Sequence, residues 1–162
     1  MEFSHSDTEL IRQPIGYWSW AASKAVVTYI REGLSEFGLS QPQWWTLNQV
    51  HDGGEDGRTR AEVRAVLQGY LDVGAALEPE IDALLDRGLL TATATATATA
   101  TDTAAQRLHL TPEGSALRAR AAERQVGMRA RIHDGIPEED YVATLKVLQR
   151  MIHNTGGQAW HH

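Results

Sequence analysis

Residues 77–110 read LEPEIDALLDRGLLTATATATATATDTAAQRLHL, and the order of signals along this stretch decides the fold. Ile81, Leu84, Leu85 and Leu89 recur at helical spacing, so one face of the first segment requires burial. In a helix interior the ring of Pro79 would clash with the preceding turn, so it belongs in a first turn. That predicts a short helix from about Glu78 to Arg87. Gly88 stops it, because glycine enters the left-handed conformation without steric cost. From Leu89 to Thr101 the pattern switches to period two, the signature of a strand. Arg107 to Leu110 is a short partner strand, and Thr111-Pro112-Glu113-Gly114 caps and opens the next helix. Helix, hairpin, helix is the outline of a winged helix.

Within the hairpin, Thr91 to Thr101 has threonine at every odd position and alanine at every even one. Such an alternation builds an arm with threonine on one face and alanine on the other. Small identical side chains specify register poorly, so slippage is expected, and Asp102-Thr103-Ala104-Ala105 is the candidate bend. The alternative is an expanded repeat of no functional consequence.

Working outward, Ile15 to Phe37 predicts one long helix. Ile15, Trp18, Ala22, Val26, Tyr29, Ile30, Leu34 and Phe37 form its apolar stripe, and Gly38 its stop. Ser40 and Gln43 form a reciprocal cap for the following helix, whose apolar side is Trp44, Leu47 and Val50. His51 to Gly57, with three glycines, reads as a loop that permits motion. Arg58 to Leu71 predicts a third helix through Val63, Val66, Leu67, Tyr70 and Leu71, with residues 71–78 as the turn before the Pro79 helix. Past the hairpin, Pro112 to Ile132 is a long helix whose thin apolar line is Leu117, Ala121, Met128 and Ile132. Asp134-Gly135 breaks it. Pro137 to Asn154 is the last helix, with Tyr141, Leu145, Leu148 and Ile152 on one face, and residues 155–162 read as a frayed tail.

A chain of 162 residues that is 42% hydrophobic fits one domain with a real core. The expected class is mainly α with a small β-wing: a winged-helix core at about 39–111, and dimerisation helices at about 14–38 and 112–154. Two terminal helices with apolar faces are more than one subunit of this size can cover, which predicts an obligate homodimer. The absence of cysteine excludes disulfides and thiolate chemistry. The N-terminal residues carry acids and no apolar run, and no stretch approaches a membrane span, so a cytoplasmic protein is expected. No phosphate loop, dinucleotide fingerprint or nucleophile elbow is present, and the seven histidines lack metal-ligand spacing. No catalytic residue, metal or cofactor is therefore expected.

Ile81–Leu90 (IDALLDRGLL) followed after the hairpin by Leu108–Gly114 (LHLTPEG) resembles the MarR family of bacterial regulators. Gly38–Val50 (GLSQPQWWTLNQV) is similar to the family's segment leading into the reading head, and Ile136–Asn154 to its last dimerisation helix. The resemblance covers about Ile15 to Asn154. It implies a homodimeric winged helix-turn-helix that binds double-stranded DNA and responds to a small aromatic ligand, one whose cleft lies between the dimerisation helices and the winged-helix core. The candidate DNA contacts are Arg58, Arg60, Arg64, Arg87 and Arg107. The candidate ligand contacts are Tyr17, Trp18, Trp20, Trp44 and Trp45, with His51 or Arg31 near an anionic group. Trp20 and Trp45 break their helices' apolar register, which favours them as ligand contacts, whereas Trp18 and Trp44 fit a core role. Two features depart from the family pattern. The recognition helix carries Glu78, Glu80, Asp82 and Asp86 with no Lys or Arg before Arg87, and the wing lacks the family's Asp-x-Arg pair. With a net charge of -6, these leave open an alternative: a ligand- or partner-binding relative with degenerate DNA recognition, unless Glu78 and Asp82 pair with nearby arginines.

Overall fold

A computed structural model describes residues 3–69, 77–94 and 103–158. Seven α-helices and three strands follow one another in these segments: α1 (Asp7–Leu10), α2 (Ile15–Ser35), α3 (Gln41–Asp52), β1 (Arg58–Thr59), α4 (Arg60–Leu67), α5 (Leu77–Asp86), β2 (Leu90–Thr93), β3 (Arg107–Leu110), α6 (Pro112–Ile132) and α7 (Glu138–Asn154). None of the described helices is long and apolar enough to cross a membrane.

The local signals act where the sequence places them. Ser40 Oγ accepts the Gln43 N–H at 3.2 Å while the Gln43 side chain accepts the Ser40 N–H, so both orphan donors are satisfied. Gly88 ends α5 with φ +66°, and Pro79 sits in the first turn of that helix. The partner strand spans Arg107–Leu110, and Thr111 caps α6 by accepting the Gly114 N–H at 3.0 Å.

One strand escaped the sequence reading. Arg58 and Thr59 do not begin a helix; they pair antiparallel with β3, Arg58 opposite Leu108, and complete a sheet in the order β1-β3-β2. Thr59 then caps α4, with Glu62 closing the reciprocal cap; the Thr59 N–H donates to Glu62 at 2.7 Å. Helix α4 ends at Leu67, short of the expected Leu71. The expected turn at 71–78 falls mostly, and the Thr-Ala repeat beyond 94 wholly, outside the described residues, as does Asp102 of the bend. The stretch from His51 to Gly57 is less of a loop than expected: α3 runs to Asp52 and a 3-10 turn covers Gly54–Asp56. The tail closes rather than frays through Gly157, whose N–H donates to the Ile152 carbonyl at 2.9 Å.

Leu47, Val63, Leu67, Ile81, Leu84, Leu90 and Leu108 are fully buried, so α3, α4, α5 and the wing base share one core. Burying each leucine contributes roughly 1.5–3 kcal/mol relative to exposure. The arm is built differently. α2 packs on α6 where Gly33 lets Met128 approach, and α7 buries no residue fully. Val142, Leu145, Val147 and Met151 of α7 stand exposed.

Across the α2–α6 contact, Arg124 grips Glu36 with two hydrogen bonds of 3.0 and 2.8 Å. Those bonds hold the Glu36 carboxyl below the usual carboxylate range. A carboxyl depressed in the folded state stabilises it above the unfolded value, about 4.3, and that contribution disappears as pH falls through the lower folded value. Glu36→Gln is accordingly expected to flatten the acid limb of stability. Melting curves between about pH 5 and pH 3 check this, and equal slopes in both proteins would refute it.

Candidate nucleic-acid interface and ligand cleft

Helix α5 and the β2–β3 wing lie side by side, the arrangement in which a winged helix presents one helix to a groove. The acidic face of α5 is half resolved by a residue that sequence reading assigned elsewhere. Arg60, the first residue of α4, is only 5% exposed. Its Nη1 donates to Glu78 Oε2 at 3.1 Å and its Nη2 to Asp82 Oδ1 at 2.6 Å. Arg64 reaches the other Glu78 oxygen at 3.5 Å. The Arg60 guanidinium thus lies between α4 and α5, bridging Glu78 and Asp82, and Arg64 shares Glu78 with it. The Arg60 N–H donates to the Gln106 carbonyl at 3.0 Å, which fixes this position at the wing base. Glu80 and Asp86 have no cationic partner among the described residues.

Arg87 is also engaged within the head. Its Nη1 donates to the Gly38 carbonyl at 2.8 Å and to Gln43 Oε1 at 3.2 Å, so it clamps the end of α5 to the α2–α3 turn. Arg107 donates to the Asp56 carbonyl at 3.2 Å and faces the flank of the wing. Arg58 is half-buried with its Nε lacking a partner, and the Arg64 side chain is half exposed. Arg58 and Arg107 thus lie on the β1–β3 ladder, and Arg64 contacts α5 through Glu78.

A cleft of about 900 Å³ opens between α2, α6 and α7, the long helices outside the winged-helix core. Of the five aromatic candidates, Trp18 alone lines it. Tyr17 and Trp20 are exposed at 57% and 59%; Tyr17 packs edge-on against Trp18, and Lys24 lies over the Trp20 ring at 5.2 Å. Trp44 and Trp45 pack against the hydrophobic core. Trp20 and Trp45, the preferred ligand candidates, do not line this cleft: Trp20 is exposed and Trp45 packs against the core. Arg31 donates to Gln41 at 3.1 Å, and neither it nor His51 lines the cleft. Sequence reading missed Gln125, Arg129 and His133, which do. Their spacing of four residues was a visible signal, obscured by the five arginines of α6. Among the described residues no group of His, Asp and Glu could hold a metal ion.

A three-stranded wing on a helix-turn-helix, flanked by long terminal helices, defines a winged-helix protein with a separate helical arm. Comparison with known proteins sharpens this. No family model matches the sequence, and no curated protein does. Solved structures match over nearly the whole chain. The PcaV transcriptional regulator of Streptomyces coelicolor aligns with a TM-score of 0.71 at 20% identity, covering 90% of this chain and 100% of that one. MepR of S. aureus, solved in complex with DNA, aligns at 0.70 and 19% identity, covering 88% and 99%. CouR of Rhodococcus jostii, solved with p-coumaroyl-CoA, aligns at 0.66 and 23% identity, covering 86% and 92%. The chain has the winged-helix fold of the MarR-family transcriptional regulators.

Proposed function

We propose that this chain is a ligand-responsive transcriptional regulator that binds double-stranded DNA as a homodimer. The observation that carries this reading is the Arg60 bridge, which together with Arg64 offsets Glu78 and Asp82 and lets an acidic helix lie near phosphate. The fold shared with a regulator solved on DNA and another solved with a ligand supports it. Exposed Val142, Leu145, Val147 and Met151 give a second copy an apolar face to cover. Arg58, Arg64 and Arg107 are assigned to phosphates, while Arg60 and Arg87 hold the head in shape. Such a protein works in the cytoplasm and performs no catalytic step.

Fluorescence anisotropy on DNA upstream of the protein's own gene, at several salt concentrations, tests the reading. Nanomolar affinity with a steep salt slope is expected. Arg64→Ala is expected to lower the slope by roughly 2 for a dimer, since each lost phosphate contact removes about 0.9. Micromolar binding indifferent to sequence would favour the second reading, a ligand- or partner-binding protein with degenerate DNA recognition. Glu80 and Asp86, without a cationic partner among the described residues, are the observation that favours it.

A further inference from the structure

The sheet of the wing has two outer strands, β1 and β2, and the chain protects only one of them. Strand β1 is two residues long, begins with the charged Arg58, and has its Thr59 N–H already donated to Glu62 Oε2 at 2.7 Å. Shortness, charge and a side-chain partner for the backbone keep a sheet edge from recruiting another strand. Strand β2 is longer and uncharged, and in sequence residues 88–101 contain neither a charged residue nor proline. Thr91, Ala92 and Thr93 are exposed, and among the described residues β3 is the only strand beside them. Thr91 and Thr93 share a face with His109 and Arg107, while Ala92 shares the other with Leu108. The outer side of β2 is thus a row of backbone groups offered to a further strand.

We propose that the outer edge of β2 pairs antiparallel with the β2 edge of a second copy of this chain, joining two wings into one sheet. A copy fits better than a foreign strand because the pattern matches itself. Turned antiparallel on its own image, alternating Thr and Ala sets Thr beside Thr and Ala beside Ala at every second register. The cations nearest the joint, Arg107 and His109, stand on β3, one strand further in. Three strand spacings would separate the two copies of Arg107, about 14 Å, which exceeds the roughly 8 Å screening length at physiological salt. Repulsion from the net charge of -6 per chain is long-range and weakens as salt rises. The contact uses no residue of α7, and it stands or falls independently of the regulator reading.

Amide hydrogen exchange of the full chain over a concentration series, with sedimentation velocity on the same samples, tests it. The amides of Thr91, Ala92 and Thr93 are expected to exchange roughly tenfold more slowly at the highest concentration than at the lowest. Larger species should appear in step, and more of them at high salt, where DNA binding weakens. Ala92→Lys places like charges in the joint and is expected to abolish both changes, whereas Ala92→Val keeps the edge uncharged and should retain them. Leu145→Glu, on the exposed face of α7, should leave the protection of β2 intact. Exchange of the three amides independent of concentration would overturn the proposal, whether the edge stays free or awaits a foreign strand. So would undiminished association of Ala92→Lys, or loss of the protection in Leu145→Glu. Should Ala92→Lys fail to fold, the exchange series on the native chain and on Ala92→Val decides alone.

Discussion

Replacing Arg60 with methionine is expected to destabilise the reading head by about 2–3 kcal/mol and to weaken DNA binding more than any single change at the exposed arginines. Removing one partner of a buried ion pair generally costs about 3–5 kcal/mol, because the other charge is left buried and unpaired. Here the partners are more open, with Glu78 and Asp82 side chains 40% and 59% exposed, so water recovers part of the loss. At DNA the effect has another origin. Asp82, paired at 2.6 Å in the native protein, would face phosphate uncompensated, and Glu78 would keep only its longer contact to Arg64. Urea unfolding reads the first effect and anisotropy the second. A double-mutant cycle with Asp82→Asn should show strong coupling, since the two residues share one bond. Additive losses, or a stability change below about 0.5 kcal/mol, the range of an ordinary surface substitution, would mean the bridge is incidental.

Gly114→Ala is expected to destabilise by about 2–3 kcal/mol, even though alanine is the better helix former by about 1 kcal/mol. A Cβ at this position would run into the carbonyl oxygen of Leu89. That carbonyl also accepts the Thr111 N–H at 3.2 Å, and Thr111 Oγ1 donates to the Gly88 carbonyl at 2.7 Å. Start of α6 and end of α5 are therefore bound backbone to backbone, and neither can retreat. Gly127→Ala in the same helix is the control. Nothing lies within 4 Å of its added Cβ, so a gain of about 0.5–1 kcal/mol is expected. Unfolding curves of the two variants compared side by side decide the matter; similar shifts would show that close approach does not determine the glycine at 114.

Residues 77–114 were legible because their signals are local. Pro79, Gly88, Thr111 and Pro112 each dictate the backbone within a turn of themselves, and the boundaries they imply for β3 and α6 hold. Strand β1 was illegible because two residues carry no period; Arg58 and Thr59 are extended only because β3 offers them a ladder. The pairing of Glu78 and Asp82 could be entertained from composition, yet the choice of Arg60 over Arg58 or Arg64 could not. Helical spacing says which residues share a face, and it leaves open which face meets a second element across an intervening turn. The tryptophans show the same limit. Register set Trp18 apart from Trp20, but it could not tell that the stripe bearing Trp18 meets α6 and α7 along an open cleft instead of a closed core.

From its own residues, without the fold, this chain determines where α3 and α6 start, where α5 stops, and that cysteine chemistry is absent. Each is set by sterics and hydrogen bonds spanning a few positions. Tertiary structure alone decides which charges cancel and which stay free. The electrostatics of Arg60, Arg87 and Arg129 depend on carbonyls, carboxylates and rings brought to them from elsewhere in the chain, and distance in space, not in sequence, governs Coulomb attraction.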